Sequence, residues 1–148
     1  MADLFEKVVI DCPIEVVFET VANPKNAEKM FVNVSEVESL DDKEKQVGGK
    51  YREYRQLSNR RVGTDIEIIQ RDHNKKYGFK SSSNGLSVDY VYSFQETDER
   101  KTKISFEGAV HPEKLLMRLT KPLVVRMLKK EDQDHLKYIK NYLEKSEE

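Results

Sequence analysis

The stretch "VVIDCPIEVVFETVANP", Val8 to Pro24, changes its period in the middle. Before Pro13, Val8, Ile10 and Cys12 alternate as they would along one face of a short strand. After it, Ile14, Val17, Phe18 and Val21 recur at i, i+3, i+4 and i+7, the stripe of an amphipathic helix. Pro13 suits the junction, because its fixed φ and missing N–H are tolerated in the first turn of a helix. Pro24 then ends that helix or opens another, and the spacing predicts a second short helix over about Lys25 to Met30.

From Val32 to His111 the period is mostly two, with turn signals at "LDDKEKQVGG", "LSNRR", "RDHNKK", "SSNG" and "TDERK". That predicts six strands. Short loops without intervening helices imply sequential antiparallel pairing in one curved sheet. The more apolar parity gives a covered face of Val62, Thr64, Ile66 and Ile68, then Tyr77, Phe79 and Ser81, then Val88, Tyr90, Tyr92 and Phe94, then Ile104, Phe106 and Val110. The segments "VNVSEVESL" and "GGKYREYRQL" choose no face, since Arg52, Glu53 and Arg55 mix with Tyr51 and Tyr54.

After Pro112 the pattern turns helical again. Leu115, Leu116 and Leu119 predict a turn or two, and Thr120 with Pro122 can cap and start a longer helix. From Pro122 to Glu144 that helix would run roughly 35 Å at about 1.5 Å per residue, enough to cross the sheet. The expected fold class is α+β: a seven-stranded antiparallel sheet, two short helices after the first strand, and a long C-terminal helix over the concave face. Residues 1–148 are expected to form a single domain, with no linker, repeat or low-complexity tract beyond the end "LEKSEE".

The segment "VIDCPIEVVFETVANP" resembles the "I-x-A-P-x-x-x-V-[FW]" opening of the SRPBCC superfamily, the polyketide cyclase/dehydrase, START-like and birch-pollen-allergen-like helix-grip proteins. Cys12 stands where Ala is commoner. "VGGKYR" is similar to that family's Gly-led third strand, and "KPLVVRMLKKEDQDHLKYIKNYLE" resembles its closing helix. The likeness implies a cavity between the concave sheet and the last helix. The Trp often found after the second helix is absent, as are the Pro and Cys of the ubiquinone-binding branch. These motifs concern architecture and carry little about activity.

Composition excludes several function classes. Formal charge is −1, so no global field draws the chain to nucleic acid or an anionic membrane. No apolar run approaches the roughly 18 residues of a membrane span. The single cysteine, Cys12, permits no internal disulfide and gives no metal-ligand spacing with His73, His111 and His135. A reducing cytoplasm fits this usage, and neither cofactor nor metal is expected. Cys12 reads as a small buried hydrophobe, and His73 and His111 as exposed loop residues. No phosphate loop, nucleophile elbow or catalytic carboxylate pair is present, so no catalytic residue is assigned.

On the last helix Val125, Leu128, Asp132, His135, Leu136, Ile139, Tyr142 and Leu143 fall within one arc of about 120°. Asp132 and His135 interrupt it as polar neighbours. Either they mark the polar end of a pocket or they form a solvated pair at the stripe's edge. The tyrosines are equally two-sided: Tyr77, Tyr90 and Tyr92 offer hydroxyls beside Phe79, Phe94 and Phe106, or are simple packing. The candidate ligand-facing set is Ile66, Ile68, Tyr77, Phe79, Tyr90, Tyr92, Phe94, Ile104, Phe106, Leu128, Asp132, His135 and Ile139.

The leading expectation is a binding protein for a small hydrophobic, aromatic or lipid-like molecule. One alternative is a cyclase or dehydratase using His135 or a tyrosine for proton transfer. Another, resembling the superfamily's chaperone activators, is an interaction module working through a surface. An interior with no volume above roughly 300 Å³ would favour that last alternative.

Overall fold

The computed structural model describes residues 3–43, 45–56, 59–83, 86–97, 99–112 and 121–146. The expected Leu115–Leu119 turns lie outside the described residues. β1 (Leu4–Ile10) leads to α1 (Ile14–Val21), a 3-10 turn (Pro24–Asn26) and α2 (Ala27–Met30). Six strands follow: β2 (Val34–Ser39), β3 (Lys50–Gln56), β4 (Arg61–Asp72), β5 (Lys76–Ser83), β6 (Leu86–Glu96) and β7 (Thr102–Pro112). The C-terminal helix comes as α3 (Lys121–Asp132) and α4 (His135–Ser146), parted by a turn at Gln133 and Asp134. No helix among the described residues is long and apolar enough to cross a membrane.

All strands pair antiparallel in one curved sheet of order β1-β7-β6-β5-β4-β3-β2. The two helical segments after β1 carry the chain across, so β1 docks on β7, from Leu4 opposite Gly108 to Ile10 opposite Thr102. β7 continues through His111, which is therefore an exposed strand residue and not a loop one.

Pro13 is the N-cap of α1, and that helix buries Ile14, Val17, Phe18 and Val21. Pro24 opens the 3-10 turn, where the Asn23 side chain accepts from the Lys25 N–H at 3.2 Å. α2 is tied to β2: Lys25 Nζ donates to the Val37 carbonyl at 2.6 Å, and Glu28 accepts from the Val37 N–H at 2.6 Å. These bonds hold Ala27, Met30 and Phe31 over the concave face.

The two undecided strands resolve for physical reasons. A bulge between Val34 and Glu36 shifts the parity of β2, so Val34 and Val37 are both buried. In β3, Tyr51, Glu53 and Arg55 point inward. Outward, Arg52 pairs with Asp65 at 2.8 Å and Tyr54 lies beneath the Arg61 guanidinium, 4.0 Å from the ring centre. Charge on both faces hides the alternation.

Candidate functional site

Antiparallel register turns the aromatic residues into rows. Tyr77 lies opposite Tyr92, and Tyr92 opposite Phe106. One step along, Phe79 lies opposite Tyr90, and Tyr90 opposite Gly108. The rings touch across the rows: Tyr90 stacks on Phe106 at 5.1 Å, Tyr92 leans on Phe106 at 4.8 Å, and Phe79 on Tyr90 at 5.2 Å. Gly108 makes room for this, since a Cβ there would sit 3.0 Å from Leu4 Cδ1 and 3.1 Å from Tyr90 Cε1.

Above these rows is a cavity of about 260 Å³. Its floor includes Val62, Thr64, Ile66, Tyr77, Phe79, Ser81, Val88, Tyr90, Tyr92 and Phe106. Val21, Asn23, Pro24, Ala27, Met30 and Phe31 close one side, Glu53 and Arg55 another, and Leu128 and His135 the top. Its volume falls just short of the roughly 300 Å³ at which ligand pockets usually begin. The interior is hollow, on a small scale.

His135 opens α4 and is partly buried, its ring held between two others. Phe31 stacks on one side at 4.5 Å and Phe106 on the other at 4.4 Å, tilted by 15° and 21°. Its Nε2 meets the Tyr92 hydroxyl in a short hydrogen bond. Burial first, and the Arg55 charge second, push its pKa down to about 3, so the imidazole is neutral at ordinary pH. One neutral tautomer accepts from Tyr92 at Nε2 and the other donates. Burial also pushes the Tyr77 phenol well up, helped by Tyr51 and Glu53 and opposed by Arg71, and Tyr77 keeps its proton.

Of the nominated residues, Ile66, Tyr77, Phe79, Tyr90, Tyr92, Phe106, Leu128 and His135 meet at this cavity. Four do not. Phe94 packs edge-on against Phe18 of α1 at 5.2 Å, and Ile104 and Ile139 are wholly enclosed where helices lie directly on the sheet. Ile68 is also enclosed, beside the β2–β3 connection whose Gly48 N–H and Gly49 carbonyl bond its main chain at 2.8 and 3.0 Å. They share the face of the cavity residues but serve as core. The Asp132 side chain lies outside the described residues, so its pairing with His135 stays an expectation.

Sequence reading missed Glu53 and Arg55, which line the cavity as an ion pair with Arg55 Nε donating to Glu53 Oε1 at 3.0 Å. Their spacing of two beside Tyr51 was the available signal, because residues so spaced share a strand face. Phe31, at the C-terminal end of α2, was missed as well. Cys12 is buried, with Sγ 3.5 Å from the Leu143 carbonyl. Among the described residues no cluster of three or more His, Cys, Asp or Glu is placed to hold a metal ion.

Comparison with known proteins agrees with the fold. The family model described as "Polyketide cyclase / dehydrase and lipid transport" matches residues 1–144. No curated protein matches the sequence. Among solved structures the chain is similar to Ara h 8.0201, with TM-score 0.71, 16% identity, and 94% of this chain and 95% of that one covered. It is also similar to the Zhui aromatase/cyclase of Streptomyces sp. R1128, with TM-score 0.75, 11% identity, and 98% and 94% covered. A protein from Thermus thermophilus gives TM-score 0.75, 14% identity, and 98% and 99% covered. At such identities the likeness is one of fold.

Proposed function

Because the chain belongs to the polyketide cyclase/dehydrase and lipid transport family, we propose that it binds a small, largely apolar, aromatic molecule between the sheet and the last helix. The observation that carries this is the ring-lined hollow itself. Tyr77, Phe79, Tyr90, Tyr92 and Phe106 meet there with a few polar groups, the usual make-up of a site that buries a ring system and orients it. Catalysis is not needed to explain any of these residues.

The test is a fluorescence and thermal-shift screen of flavonoids, polyketides, sterols and fatty acids, run beside Ser81→Phe. Ser81 lines the cavity, and a phenyl group there would occupy it. Saturable binding by the natural chain, lost in the variant, supports the reading. No binding by the natural chain, or equal binding by both, removes it.

The enzyme alternative asks His135 or a tyrosine to transfer a proton, and for His135 as the base its environment opposes this. A catalytic base works best with a pKa near the working pH, whereas His135 is held near 3. The interaction-module alternative draws support from the cavity volume, which lies under the roughly 300 Å³ criterion. Against it stands the Glu53–Arg55 pair, since placing charge on an inner wall is costly and idle for a protein working through its outer surface.

A further inference from the structure

Three tyrosines line the cavity, and their hydroxyls are differently placed. The Tyr92 hydroxyl is taken up by His135 Nε2, and Tyr90 has a further partner of its own. The Tyr77 hydroxyl hydrogen-bonds no described residue, although only 3% of Tyr77 is exposed. The other lining hydroxyls differ from it in burial. Thr64 and Ser81 are half-exposed, and water can satisfy them.

Burying a hydroxyl without a partner is unfavourable, because folding strips it of water and returns nothing. The ring that carries this one is held in place. It stacks on Tyr92 at 6.0 Å, tilted by 16°, and lies against Phe79 at 6.0 Å, tilted by 39°. Tyr92 is fixed in turn by His135. A group clamped by its neighbours presents its polar atom at one position, which is what orienting a bound molecule requires. Burial keeps the Tyr77 phenol protonated, so it meets a ligand as a neutral O–H. Because the ring withdraws electron density from its oxygen, a phenol donates better than it accepts. Its fitting partner is an acceptor with no proton of its own, a carbonyl oxygen.

We propose that Tyr77 orients the ligand by donating its O–H to a carbonyl oxygen on the ring system that the cavity buries. This rests on the ligand-binding reading above and adds to it a class of ligand, an aromatic ketone, and the atom that recognises it. It also separates two tyrosines that alternation makes equivalent. Tyr92 fixes the wall through His135, and Tyr77 reads the ligand.

The experiment uses the full chain and two probes of nearly one shape, 2-acetylnaphthalene and 2-isopropenylnaphthalene, in which a C=CH2 group replaces the C=O. Bound fractions are measured by equilibrium dialysis. Tyr77→Phe removes one oxygen, and it should lower the affinity of the ketone relative to the alkene at least about fivefold. An unchanged ratio would overturn the proposal and leave ligand binding intact. Were the broader screen to find ligands while neither probe binds, the ketone class would be wrong and the proposal would fall alone. No binding by either probe, nor by any compound of that screen, would remove the ligand-binding reading and this proposal with it.

Two further readouts do not depend on that ratio. Bound to the natural chain, the ketone should show its carbonyl stretch at lower frequency than in cyclohexane, and in Tyr77→Phe the band should move back toward that position. A band at the cyclohexane position in the natural chain would overturn the proposal without any variant. The free Tyr77→Phe chain should be at least as stable as the natural one, since the deleted hydroxyl holds no described group of the protein. Lost stability, or failure to fold, would mean that the hydroxyl has a structural partner, and would overturn the proposal as well.

Discussion

The two ends of the sheet bury their residues differently. Where β1, β6 and β7 meet α1 and α4, the interior is solid: Val17, Phe18, Ile104 and Ile139 have no exposed surface, and Phe18 meets Phe94 edge-on. Over β3, β4 and β5, and the stretches of β6 and β7 that carry Val88, Tyr90, Tyr92 and Phe106, the same concave face is hollow, with Phe79, Thr64 and Ser81 only half-buried. The last helix divides in the same way. α4 buries Leu136, Ile139 and Leu143, whereas no described residue of α3 is fully buried, and Val125 and Leu128 are only half covered. The difference follows the helices: α1 and α4 lie directly on the solid end and interlock with it, whereas α3 covers the other end only in part.

The largest effect should appear at the solid end. Phe18→Ala removes a fully buried ring from a packed site and is expected to cost about 3–5 kcal/mol in urea unfolding. A loss under about 1 kcal/mol would mean that this end is as loosely filled as the other.

The boundary between the regions should be visible in the pH dependence of stability. The His135 pKa in the folded state, about 3, lies below its ordinary 6.5, so the unfolded chain takes up this proton first. Acidification through that window therefore favours unfolding. Stability should fall by at most about 1.4 kcal/mol per pH unit between 6.5 and about 3, with no contribution from this group above 6.5. His135→Gln should flatten that slope in unfolding midpoints measured across the series. An unchanged slope would mean that water reaches the imidazole between Phe31 and Phe106.

The smallest effect belongs to the hollow. Phe79→Ala trims a half-buried wall and should cost only about 1 kcal/mol, while enlarging the cavity so that bulkier rings bind. Destabilisation equal to that of Phe18→Ala would erase the contrast between the two ends.

Most of the fold was legible because period follows local geometry. The change at Pro13 placed β1 and α1, and strict alternation placed the inward faces of β4 to β7 with Tyr77, Tyr90, Tyr92 and Phe106 among them. Alternation failed in β2, where the bulge after Val34 shifts parity, and in β3, where an inward Glu53 and Arg55 look outward to any hydrophobicity rule. The helical arc on the last helix was drawn as one continuous wheel, and the turn at Gln133 and Asp134 divides it without moving His135, Leu136, Ile139 or Leu143 off the covered side.

The site was legible only in part, and the reason is the same throughout. Sequence determined which residues share a face, because a strand turns each side chain by half a revolution and a helix by about 100°. It did not determine what lies opposite that face. Ile66 and Ile68, or Phe106 and Ile104, are equivalent by parity, yet one of each pair borders the cavity and the other is core. That distinction depends on where α1, α2, α3 and α4 come down on the sheet, which is fixed by contacts between residues far apart in the chain. Only the tertiary structure decided which part of the aromatic face stays open and that a compensated pair of charges stands beside it.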